Sequence, residues 1–214
     1  ELTGLYNRRY LLHYFKHRVD WNTLEKSPLC LLMIDADYLK RINDQYGHNT
    51  GDQAIVRIAE LIRKAAPANA VPVRYSGDNF LLLLPERSKS DAHAIAQKVL
   101  HLTHKTDFST PEARAGIPLT VSIGIASAPQ DASDGKTLIH RADTAMYQAK
   151  QSGRDSCADA EDLGRAEFFP ETLLRHIDAV GIAGRKQQLA QVGTALKTVS
   201  EGSSRFIIVE GRPG

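Results

Sequence analysis

Apolar positions along this chain recur in two rhythms. Ile55, Ile58, Ala59 and Ile62 fall at helical spacing, so 52–66 reads as a helix that Pro67 stops. Ala92, Ile95, Val99 and Leu102 mark a second amphipathic helix over 91–103. Leu138, Ala142, Ala145, Met146 and Ala149 form the apolar face of a last one. Residues 6 to about 17 read as a helix with Asn7 or Thr3 near its start, and Leu39–Tyr46 as a short helix ended by Gly47. Between them lie runs of strand character. Residues 29–34 are unbroken and apolar, 71–75 and 79–84 flank a Ser-Gly-Asp turn, and Leu119, Val121, Ile123 and Ile125 alternate with smaller residues.

The resulting order, β-α-α-β-β-α-β-α, mixes hairpin and crossover connections. It predicts an α/β (α+β) sandwich with a mixed, mainly antiparallel sheet rather than a doubly wound one. The apolar stripes are core faces, not cofactor boxes.

Composition narrows the function classes. Of 214 residues, 42% are hydrophobic and 24% charged, ordinary for a folded domain. The net charge of +2, with Lys and Arg dispersed, predicts no nucleic-acid partner. No apolar run approaches the ~20 residues of a membrane span, so no membrane partner is expected in this fragment, which reads as cytoplasmic. Cys30 and Cys157 lack metal-ligand spacing and make no disulfide framework; Cys30 reads as a buried small hydrophobe.

The chemistry concentrates at two turns. The run Leu31-Leu32-Met33-Ile34 delivers Asp35 to a strand end, and Ser76-Gly77-Asp78 forms a hairpin tip before Phe80. If the strands are neighbours, Asp35 and Asp78 meet at one edge. Two carboxylates there suit Mg²⁺, which takes hard oxygen ligands and completes its shell with water and substrate phosphates. Either Asp alone is ordinary turn chemistry; the pair points to phosphate chemistry on a nucleotide.

Five ordered motifs carry a resemblance. They are Leu2-Thr3-Gly4-Leu5-Tyr6-Asn7-Arg8-Arg9, Asp35-Ala36-Asp37-Tyr38-Leu39-Lys40-Arg41-Ile42-Asn43 with Tyr46-Gly47-His48-Asn49-Thr50-Gly51-Asp52, Arg74-Tyr75-Ser76-Gly77-Asp78-Asn79-Phe80, Val121-Ser122-Ile123-Gly124, and Ala142-Asp143-Thr144-Ala145-Met146-Tyr147 running on to Lys150 and Arg154. Together they resemble the GGDEF domain family, the diguanylate cyclases. The resemblance implies a palm-like nucleotidyl-cyclase fold with a five-stranded central sheet. It implies condensation of two GTP into cyclic di-GMP by a homodimer, with Mg²⁺ or Mn²⁺ as cofactor. Asp35 and Asp78 match the family's metal ligands, with the Ala36 carbonyl beside them. The amides of Tyr38, Leu39 and Lys40, and the Lys40 side chain, match phosphate contacts at a helix start. Gly77 belongs to the same substrate-binding set, Lys150 and Arg154 match triphosphate contacts, and Asn43 and Asp52 match guanine readers. Without the family, Asn43 reads as a surface helix residue, Asp52 as a helix cap, and Lys150 and Arg154 as a solvated helix end. His48, Gly51 and Arg74 read as structural, and Tyr75 as packed on a helix.

The signature departs from the pattern twice. Ser76 stands for the first glycine, a mild change. Asn79 stands for a Glu that is a candidate base and metal-site carboxylate; Asn keeps an oxygen but accepts no proton at neutral pH. Slow cyclisation is therefore expected, and the alternative is a degenerate module that binds GTP without cyclising it and regulates an attached ATPase. A bare dimerisation domain is a third reading. The family's product-inhibition motif, Arg-x-x-Asp, would fall on Pro67-Ala68-Asn69-Ala70, which carries neither charge.

The domain is expected over 1–157, with a polar, acidic linker and connecting segment over 158–180. Residues 181–214 resemble the start of an AAA-type or signal-transduction ATPase: Phe206-Ile207-Ile208-Val209 runs into Gly211-Arg212-Pro213-Gly214, the opening of a Walker A loop without its Lys. Because Glu1 falls inside a motif, sensor segments of the parent chain are expected upstream, and the rest of the ATPase downstream.

Overall fold

The computed structural model describes residues 2–160. The linker and ATPase expectations fall on 158–214, of which 161–214 lie outside the described residues. A single six-stranded sheet organises the domain, in the order β1-β3-β4-β2-β5-β6. The strands are β1 (Tyr6–Asn7), β2 (Leu29–Ala36), β3 (Val71–Ser76), β4 (Asn79–Pro85), β5 (Val121–Ala128) and β6 (Cys157–Asp159). The helices are α1 (Arg8–Arg18), α2 (Leu39–Tyr46), α3 (His48–Ala65), α4 (Lys89–His104) and α5 (Gly135–Gln151).

The central pairs β3–β4, β4–β2 and β2–β5 are antiparallel, and the edge pairs β1–β3 and β5–β6 are parallel. The mixed, mainly antiparallel expectation holds. Six strands replace the expected five, because the edge strands span only two and three residues and carry no periodicity to read. Tyr6 accordingly begins β1 rather than α1. Asn7 is the α1 N-cap, its side chain accepting from the Tyr10 amide.

β2 is buried along its whole length, which explains its unbroken apolar sequence. Cys30, Leu32 and Ile34 face a core shared with α2, α3 and α4; Leu31 and Met33 face a second core under α1 and α5. Cys30 is the buried small residue expected, and burial pushes its thiol up to about 12. β5 alternates for a similar reason. Val121, Ile123 and Ile125 fill the first core, while α5 presses on the small-residue face: a Cβ at Gly124 would fall 1.9 Å from the Ala142 carbonyl oxygen. That close packing carries the end of α5 to the edge where β2 and the β3–β4 tip emerge.

Candidate active site

Register brings the two turn carboxylates together. β2 and β4 pair with Asp35 opposite Asn79, and the Ala36 amide donates to the Asp78 carbonyl at 3.3 Å. The hairpin tip is held by Arg74, whose Nε and Nη2 donate to the Gly77 carbonyl at 3.1 and 3.0 Å. Gly77 takes φ +44°, a left-handed turn that favours glycine. Arg74 is thus structural, as read from sequence, and Tyr75 packs in the α1-side core with the Arg8 guanidinium 5.0 Å above its ring.

Asp35 is buried, and Lys150 of α5 reaches it, with Nζ 2.6 Å from Oδ1. Burial nevertheless dominates: loss of water pushes the Asp35 carboxyl up to about 6, the Lys150 ammonium pulls it down, and Asp78 and Asp37 push it further up. Lys150 is therefore not the solvated helix end of its plain reading; it is a half-buried cation at a carboxylate cluster.

α2 starts beside this pair. Tyr38 takes φ +57° as its N-cap, and no side chain caps the first-turn amides, including those of Leu39 and Lys40. Lys40 is exposed, on an open depression of about 490 Å³ with Tyr38, Arg41, Asp44 and Gln45. Arg154 lies past the end of α5, at φ +66°, with its guanidinium 4.9 Å from the Tyr38 ring centroid. Arg154 and Lys150 thus approach the same turn from α5 and the segment after it.

Asn43 and Asp52 come from different helices. Asn43 is half-buried on α2 and abuts α3: a Cβ on Gly51 would fall 1.8 Å from Asn43 Oδ1. Gly51 therefore makes room for that amide. Asp52 is exposed and is the fifth residue of α3, which begins at His48, so the helix-cap reading is wrong. No hydrogen bond joins Asn43 to Asp52.

The family "Diguanylate cyclase, GGDEF domain" matches residues 1–156. This chain belongs to the GGDEF domain family. It is 34% identical over 156 residues to the response regulator PleD of Caulobacter vibrioides, covering 73% of this chain and 34% of that one. It is also 34% identical to the diguanylate cyclase DosC of Escherichia coli over 154 residues, covering 72% of this chain and 33% of DosC. The chain therefore spans about a third of the length of these curated relatives. Among solved structures, it superposes with TM-score 0.70 on the GGDEF domain of DgcB from Caulobacter crescentus in complex with c-di-GMP, at 27% identity over 75% of this chain and 94% of that one. The GGDEF domain of PA1120 from Pseudomonas aeruginosa gives 0.68 at 32% identity, covering 73% and 97%.

In this GGDEF domain the fourth signature residue is an amide. Asn79 Nδ2 donates to Asp78 Oδ1 at 3.3 Å, so it engages an oxygen that a cation would also seek. Among the described residues no group of three or more His, Cys, Asp or Glu could hold a metal ion. Two carboxylates still fit Mg²⁺, which is commonly held by one or two carboxylates and phosphates. The ammonium lodged at a buried carboxylate shows that the cluster favours a positive charge.

Sequence reasoning passed over Asp37. Its carboxylate is buried and accepts from Ser122 Oγ at 2.7 Å and from the Asp155 amide at 3.1 Å. A second Asp at the end of a wholly apolar strand was the available signal. Its partners, 85 and 118 residues away, were not readable.

Proposed function

We propose that the domain binds GTP with a divalent cation at this edge and, as a pair of copies, condenses two GTP into cyclic di-GMP. Each 3′-hydroxyl attacks the α-phosphorus of the other GTP, the P–O bond to pyrophosphate breaks, and the hydroxyl proton passes to solvent. The observation that carries the reading is the convergence of Asp35, Asp78 and Lys150 beside the uncapped start of α2. Mg²⁺ or Mn²⁺ there would neutralise phosphate charge and acidify the attacking hydroxyl; Asp35, Asp78 and the Ala36 carbonyl would hold it. The amides of Tyr38, Leu39 and Lys40 receive phosphate oxygens, with Lys40, Lys150 and Arg154 supplying charge. Gly77 lets the tip approach the phosphates, and Asn43 and Asp52 read the guanine edge. The domain works as a homodimer in the cytoplasm, where GTP is available; no described helix is long and apolar enough to cross a membrane.

Asn79 makes the reaction slow, since position 79 offers neither charge nor a proton acceptor. Its hydrogen bond to Asp78 also favours a second reading, a module that binds GTP without cyclising it and regulates an attached ATPase. Calorimetric titration of GTP with and without Mg²⁺ tests the common core of both. Binding should depend on Mg²⁺ and weaken about tenfold in Asp78→Ala. Equal binding by the mutant, with and without Mg²⁺, removes Asp78 from the site.

A further inference from the structure

Three consecutive residues after α5 have positive φ: Gly153 at +118°, Arg154 at +66° and Asp155 at +48°. For Arg the left-handed region is sterically disfavoured, and such strain persists where neighbours impose it. Here two groups impose it, one on each side of the turn. Asp37, at the end of β2, accepts the Asp155 amide. His104, in the last turn of α4, meets the Asp155 carboxylate with Nε2 2.7 Å from both oxygens. An ionised carboxylate only accepts, so Nε2–H is the donor. The Arg154 amide closes the turn on the Ala149 carbonyl at 3.0 Å. The residue this turn presents is Arg154, over the Tyr38 ring.

We propose that Asp37 and His104 are positioning residues: through Asp155 they hold the strained turn that aims Arg154 at the nucleotide phosphates. The inference rests on the phosphate role given to Arg154 above. Neither residue touches substrate in this arrangement. Asp37 ties the turn to the strand that bears Asp35, with its other oxygen fixed by Ser122 Oγ, so the metal end and the phosphate end share one strut. His104 ties the same turn to a helix on the opposite face of the sheet from α5. Its side chain is 51% exposed, so its loss should leave the core intact.

The test combines affinity with a ligand-independent signal. In the apo protein the Arg154 side-chain NMR resonances should be shifted upfield by the Tyr38 ring. They should move toward unstructured positions in His104→Ala and in Asp37→Ala, which removes the acceptor for the Asp155 amide, and return in His104→Gln, which keeps a donor. GTP should bind about tenfold more weakly to His104→Ala, with guanosine unaffected, since Arg154 acts on phosphate. Arg154→Ala should lose as much, and the double mutant His104→Ala/Arg154→Ala no more than either. Unmoved Arg154 resonances with unchanged GTP affinity in His104→Ala would overturn the proposal, as would an equal loss for guanosine. If the wild type binds no GTP, the phosphate reading fails, and aiming at phosphate fails with it. The resonances then report separately whether the strut holds Arg154 in place.

Discussion

Lys150 Nζ lies 2.6 Å from Asp35 Oδ1, so the carboxylate proposed to hold a divalent cation is already held by a side-chain cation. The pair joins α5 to β2. It also offsets the charges of Asp78 and Asp37, both of which disfavour ionised Asp35. Lys150→Met keeps the length and removes the charge. The mutant should lose about 2 kcal/mol, below the cost of breaking a fully buried pair because Lys150 is partly exposed. Millimolar Mg²⁺ should restore more of that loss than it adds to the wild type, since no ammonium then competes. Thermal unfolding with and without Mg²⁺ reads this, and equal Mg²⁺ effects in both proteins would count against a cation at Asp35.

Gly51 separates fold from recognition. A helical Gly→Ala change commonly stabilises by about 1 kcal/mol, yet here the new methyl would meet Asn43 Oδ1 at 1.8 Å and force that amide to turn. Gly51→Ala should keep its melting temperature within a few degrees while losing GTP affinity about tenfold and narrowing its preference for GTP over ATP. Gly124→Ala should instead lose stability outright, since its methyl meets the backbone of α5. Competition binding and thermal unfolding distinguish the two. Retained guanine selectivity in Gly51→Ala would show that Asn43 is not a base reader.

Product feedback should be absent at the turn before β3. Pro67 and Ala70 stand where Arg and Asp would hold the product, and the Ala70 amide closes the turn on the Pro67 carbonyl at 3.0 Å. Asn69, the polar side chain there, donates to the Pro85 carbonyl at 3.2 Å. Cyclic di-GMP titrated into the protein should show no tight binding that Asn69→Ala removes. A product-bound structure with the ligand packed on residues 67–70 would contradict this.

Much of this arrangement was legible because it depends on local pattern. Leu39–Tyr46 matches α2 residue for residue, and the Ser-Gly-Asp turn between two apolar runs fixed the β3–β4 hairpin. Asp35 and Asp78 meet as expected, since a strand of Leu31 to Ile34 buried on both faces had to lie centrally. The edge strands escaped because two or three residues carry no alternation. The start of α3 escaped because His48 to Gly51 contain no apolar stripe. The Asp37–Ser122–Asp155–His104 network escaped for a different reason: each member is an ordinary polar residue in its own segment, and only the sheet order brings them together.

The central proposal is cyclisation at a rate set by position 79. Asn79 lies opposite Asp35 across β2 and β4 and donates to Asp78, leaving the site short of a carboxylate and of a proton acceptor. The most direct measurement is the rate of cyclic di-GMP formation from GTP and Mg²⁺ by the wild type and by Asn79→Glu, followed by separating the nucleotides. The account predicts slow synthesis by the wild type that needs high Mg²⁺ or Mn²⁺, and a rise of about 10²-fold in the mutant, the low end of what a positioned base contributes. Fast wild-type turnover left unchanged by the substitution would contradict the role of position 79, and no product from either protein would contradict the cyclase reading itself.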